Sequence, residues 1–484
     1  MKKFEKYDPK THFTDEPIID ENPSFLRFDE KKNVVVIDFV EFHEFLESHG
    51  FYKLEGTKGY SILRIKQNIC KLYEAHQLKN FVESQFSDYR FVDYLINRQS
   101  AIFPPGKLDF LKPFESEFIN DTENTKTLYF LNGILRVTEN GINGLESYHS
   151  LQNPIWESQI IKRNFVKVDI NELDNGEFYK LLENVTGKDD DRFLSLLSAI
   201  GYMLHSYSDP ANPRAIVFYD EQIPEYGDEL NGGTGKSLVG TALSKFNNST
   251  IMLNGASDIT ASRFGFQRLN QDTRIIIINE LPDDFPFKNL FSHLSDGFIV
   301  EKKREHQFVI KNVKVLITTN SIIEGEGASF ERRKFEIEFA PHYSATHTPL
   351  DEFGHMLFYD WDEKEWSLFD NLMLQCIEIY FQSGLIPYQR INVQYRKMMK
   401  HIPEELFFFF EGLQFDLSYH KSLMLERFND KYRRFPVSPN KFTRSLKAYC
   451  RGMNCDLFIK PGPGNRNHTV TIKERKKTNN KPPK

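Results

Sequence analysis

The chain has 484 residues, room for roughly two to four domains of ordinary size. Hydrophobic residues make up 40% and charged residues 27%, and no aliphatic run is longer than that of "IIII", Ile275 to Ile278. A membrane helix needs roughly 20 apolar residues, and no run approaches that, so neither a membrane-spanning helix nor a membrane partner is expected. The opening "MKKFEKYDPKTHFTDEP" lacks the apolar stretch and small-residue cleavage site of a secretory signal, which leads to the expectation of a cytoplasmic protein. Four scattered cysteines, Cys70, Cys376, Cys450 and Cys455, fit neither a disulfide framework nor a paired zinc motif.

The net charge of −6 is unevenly divided. From Lys421 onward there are 17 Lys/Arg against 4 Asp/Glu, a balance of +13 that leaves −19 for the preceding residues. An acidic body with a basic end points to a polyanion met by that end.

In the N-terminal third, "NVVVIDFVEFHEFLESHGF" predicts a short strand and a helix stopped at Gly50. The spacing of Ile62, Ile65, Ile69 and Leu72 predicts a helix through "SILRIKQNICKLYEAHQLKNFVESQF". "TLYFLNGILRVTE" predicts a hairpin turning at Asn132-Gly133. No Asp-x-Asp after a strand and no His-x-His occurs here, so neither a polymerase-type priming site nor a nicking site is visible.

A helical pattern covers about Asn175 to Ser206, and Pro213 opens a new region. There "AIVFYD", Ala215 to Asp220, reads as a buried strand, and strands alternate with helices to about Phe339, the rhythm of an α/β sheet. "NGGTGKS" supplies what a phosphate-binding loop needs: small residues whose backbone N–H groups wrap an anion, a lysine, and a hydroxyl for magnesium. Gly232, Gly233, Thr234, Gly235, Lys236, Ser237 and Leu238 are the candidates, and "SLVGTALSKF" reads as the helix that follows. The strict GxxxxGK[ST] spacing would need glycine at Leu230, and the acidic insertion "EQIPEYGDELN" separates loop from strand.

"TRIIIINE" predicts a buried strand ending in Asn279 and Glu280, with Glu280 placed to polarise a water. "VKVLITTN" predicts a second, ending in Thr318, Thr319 and Asn320, whose amide is placed to position that water. Between them "DGFIVEKKREHQFVIKN" predicts a hairpin with Lys302, Lys303 and Arg304 at its apex, a shape that presents cations to a phosphate backbone. Arg332 and Arg333 precede a strand-like alternation, where an arginine can serve a neighbouring subunit's phosphoryl transfer. A largely helical stretch follows from about Asp351 to Phe428. In "SPNKFTRSLKAYCRGMN", Ser438 is an N-cap and Pro439 opens a helix whose Phe442, Leu446 and Tyr449 lie on one face and Lys441, Arg444, Lys447 and Arg451 on another. "DLFIKPGPGNRNHTVTIK" adds two strands and a turn carrying Lys460 and Arg466. Helix and hairpin together resemble a winged helix-turn-helix.

Taken in order, the elements from about Ala215 to Phe339 resemble the superfamily 3 helicases, the AAA+ class found in small DNA viruses, phages and mobile elements. The helical stretch before them is similar to the lead-in of poxvirus-type and phage primase-helicases. The resemblance implies an α/β fold: an AAA+ phosphate-loop core (213–345) behind a helical lead-in (171–212), an N-terminal α+β domain without an assigned role (1–170), a helical linker (346–420), a winged-helix-like module (421–473) and a basic tail (474–484). It implies ATP and Mg2+, with Lys236 on phosphate and Ser237 on the metal. Glu280 would activate water, Asn320 would sense the γ-phosphate, Lys302 or Lys303 would grip DNA, and Arg333 would act across a subunit boundary beside Arg332. It further implies a homo-hexamer on single-stranded or forked DNA, typically moving 3′ to 5′, with a separate primase or polymerase as a further partner. Asn279 departs from the family, which usually has an acidic residue there, so the metal set of Ser237, Asn279 and Glu280 is one carboxylate short, with Asp283 and Asp284 nearby in the chain. Two alternatives stay open: a DNA-binding AAA+ switch, regulatory or defensive, that does not unwind, and a primase-helicase whose priming domain lies unrecognised in the first 170 residues.

Overall fold

In a computed structural model of the chain, residues 7–13, 22–56, 59–209, 211–221, 233–247, 249–255, 259–260, 262–282, 285–303, 307–320, 323, 327–388, 402–453, 455–461 and 468–474 are described. The N-terminal part opens with a hairpin of β1 (Leu26–Asp29) and β2 (Val34–Ile37) and with α1 (Phe39–Ser48), whose first turn is capped by the Asp38 carboxylate. The antiparallel strands β3 (Phe51–Gly56), β4 (Gly59–Lys66) and β5 (Ile69–Tyr73) are followed by α2 (Ala75–Ser84), α3 (Tyr89–Ile102) and the short α4 (Pro105–Leu108). A second sheet is built from β6 (Lys126–Phe130), β7 (Gly133–Thr138) and β8 (Gly141–Ile142). β9 (Ile155–Trp156) then joins β5, and β10 (Ile160–Ile161) joins β6.

The helix expected through Ile62–Leu72 is instead the β4–β5 hairpin, turned by Gln67 and Asn68, both at positive φ (52° and 60°). The strand alternation was hidden because Ile62, Leu63 and Arg64 are all buried. Arg64 lies 4.4 Å from the Phe81 ring and 5.1 Å from that of Phe51, and its Nε and Nη1 donate to His49 O (3.1 Å) and Phe13 O (2.9 Å). A guanidinium tolerates such a place when rings and carbonyls replace its water.

Past residue 175 come α5 (Glu177–Val185) and α6 (Asp190–Leu204), then β11 (Ala215–Asp220), α7 (Lys236–Phe246), β12 (Thr250–Asn254), β13 (Ile275–Asn279) and α8 (Phe291–Asp296). The hairpin of β14 (Phe298–Val300) and β15 (Phe308–Ile310) precedes β16 (Lys314–Thr318), α9 (Ala328–Glu331) and β17 (Lys334–Phe339). Five of these strands form one parallel sheet in the order β12-β13-β16-β11-β17. An α/β architecture with a parallel sheet is therefore present.

Alternation explains how both faces of this sheet are covered. Ile216, Phe218, Ile275, Ile277, Leu316 and Ile337 pack with α5, α6 and α7 in one core. Their neighbours Val217, Tyr219, Ile276, Ile278, Val315 and Ile317 pack with Phe287, Leu290 and Phe298 in another. Parallel strands buried on both faces read as unbroken apolar runs, which is why "IIII" was legible. Leu128, Phe130, Leu135, Val137 and Ile161 join the first core, so the second N-terminal sheet packs on the same apolar body as the parallel sheet.

At that joint Lys126 Nζ lies 2.8 Å from Asp121 Oδ2, which also accepts from Ser206 Oγ at 2.6 Å. Burial holds the nearby His205 imidazole down at about 4, against the pull of Asp121, so it is neutral near pH 7.

The helices α10 (Pro349–Phe353) and α11 (Glu363–Ser383) follow the sheet. A side-chain β-carbon at Gly201 of α6 would stand 2.0 Å from Cys376 O of α11. Gly201→Ala is therefore expected to force the two helices apart at a cost of about 3 kcal/mol, read as a lowered melting temperature of the whole chain.

The last described region has its own core, with Phe407, Phe410, Phe428, Phe442, Leu446 and Ile472 in it. It contains α12 (Glu404–Glu411), β18 (Ser418–His420), α13 (Lys421–Lys431), α14 (Pro439–Gly452), β19 (Cys455–Lys460) and β20 (Thr469–Glu474). The strands form an antiparallel sheet in the order β18-β20-β19. Among the described residues no helix is long and apolar enough to cross a membrane.

Candidate phosphate-binding site

All five parallel strands run in one direction, so their C-terminal tips line a single edge. Register places Asn254 beside Asn279, Ile278 beside Ile317, and Phe218 beside Thr318. Ligands of open parallel sheets bind at such an edge, where adjacent strands send their connections in opposite directions. β11 and its neighbour β16 do so: the chain leaves β11 toward β12 on one flank and leaves β16 toward β17 on the other.

From β11 the chain returns through Gly233 (φ 110°), Thr234 and Gly235 (φ 98°) into α7. Positive φ at both glycines is the conformation that L side chains resist. At Gly235 a β-carbon would also stand 2.8 Å from Val185 Cγ1, so the loop is seated against α5. Gly235 is the N-cap of α7 and contributes no capping side chain. The positive end of the helix dipole at this N-terminus favours an anion.

Lys236 is the first residue of α7 and is 8% exposed. Its ammonium forms an ion pair with the Asp220 carboxylate at the tip of β11, and it donates to Asn320 Oδ1 at 2.9 Å. The Thr234 hydroxyl donates to the same Asp220 oxygen. Lysine, threonine and asparagine, all expected from the sequence, are thus gathered at one point. Asp220, 7% exposed, was missed, although a carboxylate ending an otherwise apolar strand was there to be read. Ser237, one residue into α7, is exposed and Leu238 partly so.

Two strands away, Asn279 ends β13 and Glu280 follows it. Thr318 Oγ1 donates to Asn279 Oδ1 at 3.3 Å and accepts the Glu280 N–H at 3.2 Å, tying the tip of β13 to β16. Glu280 has φ 57°, a strained conformation for a side-chain-bearing residue and one found most often at functional positions. Its side chain is exposed. With strands about 4.8 Å apart, β16 holds the β13 tip roughly 10 Å from β11.

The remaining expected residues lie elsewhere. Ala215 N–H donates to Arg333 O at 2.8 Å, so the arginine pair sits at the starting edge of the sheet, opposite the strand tips. Strands of six residues span about 20 Å, so neither arginine reaches its own chain's Lys236. Arg333 lies 4.6 Å from the Phe291 ring and donates to Ser329 O at 3.0 Å, while Arg332 is exposed.

On the β14–β15 hairpin, Lys302 turns inward, its Nζ donating to Asn270 Oδ1 at 2.6 Å, and Lys303 is exposed. A groove of about 810 Å³ lies between this hairpin and the N-terminal sheet, lined by Gly56, Phe114, Trp156, Arg274, Phe308 and Lys311 among others. On α14, Lys441, Arg444, Lys447 and Arg451 are exposed opposite buried Phe442, Leu446 and Tyr449. Lys460 at the end of β19 is exposed as well. Gly232, Asp283, Asp284, Arg304, Arg466 and most of the acidic insertion fall outside the described residues.

No family model matches the chain, and no curated protein matches it. Among solved structures, the A form apo structure of the NrS-1 C-terminal region is similar at 12% identity and a TM-score of 0.45, over 89% of this chain and 98% of that one. A second apo structure of the same region gives 12% and 0.46, over 90% and 99%. Likeness of that degree settles neither the class of protein nor its activity.

Proposed function

We propose that the chain is an ATP-driven DNA helicase of the superfamily 3, AAA+ type, acting as a homo-hexameric ring on single-stranded or forked DNA. What chiefly supports this reading is the buried Lys236 ammonium, held between Asp220 and Asn320 beside the uncapped N-terminus of α7. A cation fixed where backbone N–H groups converge fits the β- and γ-phosphates of a nucleoside triphosphate. In this reading ATP displaces Asp220 from Lys236, and the carboxylate passes to the Thr234 hydroxyl alone.

Ser237, exposed on the first turn of α7, and Asn279 with Glu280 on β13 are the groups that would hold Mg2+, which neutralises phosphate charge when bound. Glu280 takes the proton of the attacking water, and the Asn320 amide orients that water. Arg333, with Arg332 beside it, serves the neighbouring subunit's site, since a full strand length separates it from its own. Lys303 at the hairpin apex and the α14 stripe contact DNA phosphates. The compact C-terminal region, with its basic helix followed by two strands, serves as a winged-helix module.

Displacement of a strand from a forked duplex tests the reading. Lys303→Ala is expected to lower unwinding at least about tenfold, since every subunit of a ring loses a phosphate contact. ATP hydrolysis without DNA should stay within about twofold of the wild-type rate, because Lys303 is remote from the strand tips. Unwinding at the wild-type rate would remove the hairpin from the mechanism.

A further inference from the structure

Behind the phosphate loop, the thirteen residues after β17 gather three metal-ligating side chains that the nucleotide site does not use. His342, His347 and Glu352 each offer one ligand atom, and these atoms lie within 4.8 Å of one another. His342 Nε2 is 3.2 Å and His347 Nε2 4.0 Å from the same oxygen, Glu352 Oε2. We propose that these three side chains form a site for a divalent transition-metal ion, filled by zinc, that fastens the segment between β17 and α10 behind the phosphate loop.

The backbone prepares the cluster. Ser344 N–H donates to His347 O at 2.9 Å, a tight turn that brings the two imidazoles together. Thr348 then caps α10 reciprocally with Asp351, which sets Glu352 facing back over that turn. Ligands from so short a span cost little chain entropy to assemble. The His347 ring also stacks on Tyr343 at 5.9 Å.

The surroundings orient the carboxylate. Its other oxygen, Glu352 Oε1, accepts from Asn184 Nδ2 at 2.9 Å, and Asn184 also donates to the Tyr343 hydroxyl at 3.1 Å. Asn184 is 6% exposed and belongs to α5, so its position is set by the core. Outer hydrogen bonds of this kind fix a ligand's aim and basicity.

Chemistry selects the ion. Two imidazoles and one carboxylate suit zinc and its neighbours, whereas magnesium and calcium prefer all-oxygen sets. Metal–ligand bonds of about 2.0–2.2 Å in tetrahedral geometry bring donors to roughly 3.4 Å from one another, so His342 and Glu352 are already in place and His347 closes by at most about 1.4 Å. A water completes the coordination on the exposed side.

The position gives the ion a structural task. Tyr343, 1% exposed and next to His342, lies so close to Gly235 that a β-carbon there would stand 3.7 Å from its ring. Fixing His342 fixes the floor beneath the phosphate loop.

The test uses the full-length chain without a histidine tag, stripped of metal and free of nucleotide, titrated with Zn2+ by calorimetry and with Co2+ by visible absorption. Expected are one ion per chain, a tetrahedral Co2+ spectrum, and a zinc-dependent rise in melting temperature. His347→Ala, at a half-exposed position, should fold normally yet bind zinc at least about tenfold more weakly, and Glu352→Gln should do the same. Absence of saturable binding at micromolar zinc would overturn the proposal. So would binding that His342→Ala/His347→Ala leaves unchanged, the mark of an adventitious ion only. Neither outcome touches the nucleotide reading, because no ATP is present.

Discussion

Lys236→Ala is expected to lose at least about 10²-fold in ATP hydrolysis, the usual effect of deleting one preorganised donor at a phosphoryl-transfer site. The same substitution removes the cation from a buried pair, since both the Lys236 and Asp220 side chains are under a tenth exposed. An Asp220 carboxylate left with the Thr234 hydroxyl alone destabilises the fold by up to about 3–5 kcal/mol. Two effects therefore overlap in one variant, and a second variant separates them. Lys236→Ala/Asp220→Asn removes the orphaned charge, so its melting temperature should recover toward that of the wild type while hydrolysis stays lost. Phosphate release and thermal unfolding measured on both proteins check this. Hydrolysis by Lys236→Ala within twofold of wild type would show that the loop meets no reacting phosphate.

Glu280→Gln is expected to separate binding from chemistry. The residue stands at the tip of β13, beyond β16 from the phosphate loop, held at φ 57° with its N–H on Thr318 Oγ1. The amide keeps the shape and the tie to β16 but cannot accept the proton of the attacking water. Hydrolysis should fall by about 10²- to 10⁴-fold, the range of general base catalysis, with nucleotide affinity changed only a few-fold. A fluorescent nucleotide titration beside single-turnover hydrolysis reads the two separately. If affinity and rate fall together, holding the metal is the main task of Glu280 and another group activates the water.

The parts of this architecture carried by local pattern were legible in the sequence. "AIVFY", "IIII" and "VLI" are apolar on every residue because each face of the parallel sheet has its own core, and all three strands lie where the apolar runs predict. The Ser438 cap and Pro439 start of α14 are likewise local, and so is the β14–β15 hairpin.

What depends on distant partners was not legible. Strand order places β16 between β13 and β11, and nothing within any of these strands specifies its neighbours. Asp220 was visible as a carboxylate ending an apolar strand, but its partners Thr234 and Lys236 meet it only when the loop folds back over it. The inward turn of Lys302 needs Asn270, thirty-two residues earlier. His342, His347 and Glu352 are five apart, a spacing with neither helix nor strand period, and the Ser344–His347 turn with the Thr348–Asp351 cap unites them. The misread helix at Ile62–Leu72 failed for a related reason, since the rings and carbonyls that make Arg64 a core residue come from four other segments.

The central claim is that ATP turnover at Lys236 drives strand separation. Its most direct measurement is displacement of a labelled strand from a forked DNA duplex by the full-length chain, with ATP, without nucleotide, and with a non-hydrolysable analogue. Displacement with ATP alone is the predicted result. ATP hydrolysis stimulated by DNA but with no strand displaced under any condition would contradict it, and would make the chain an ATP-dependent switch on DNA.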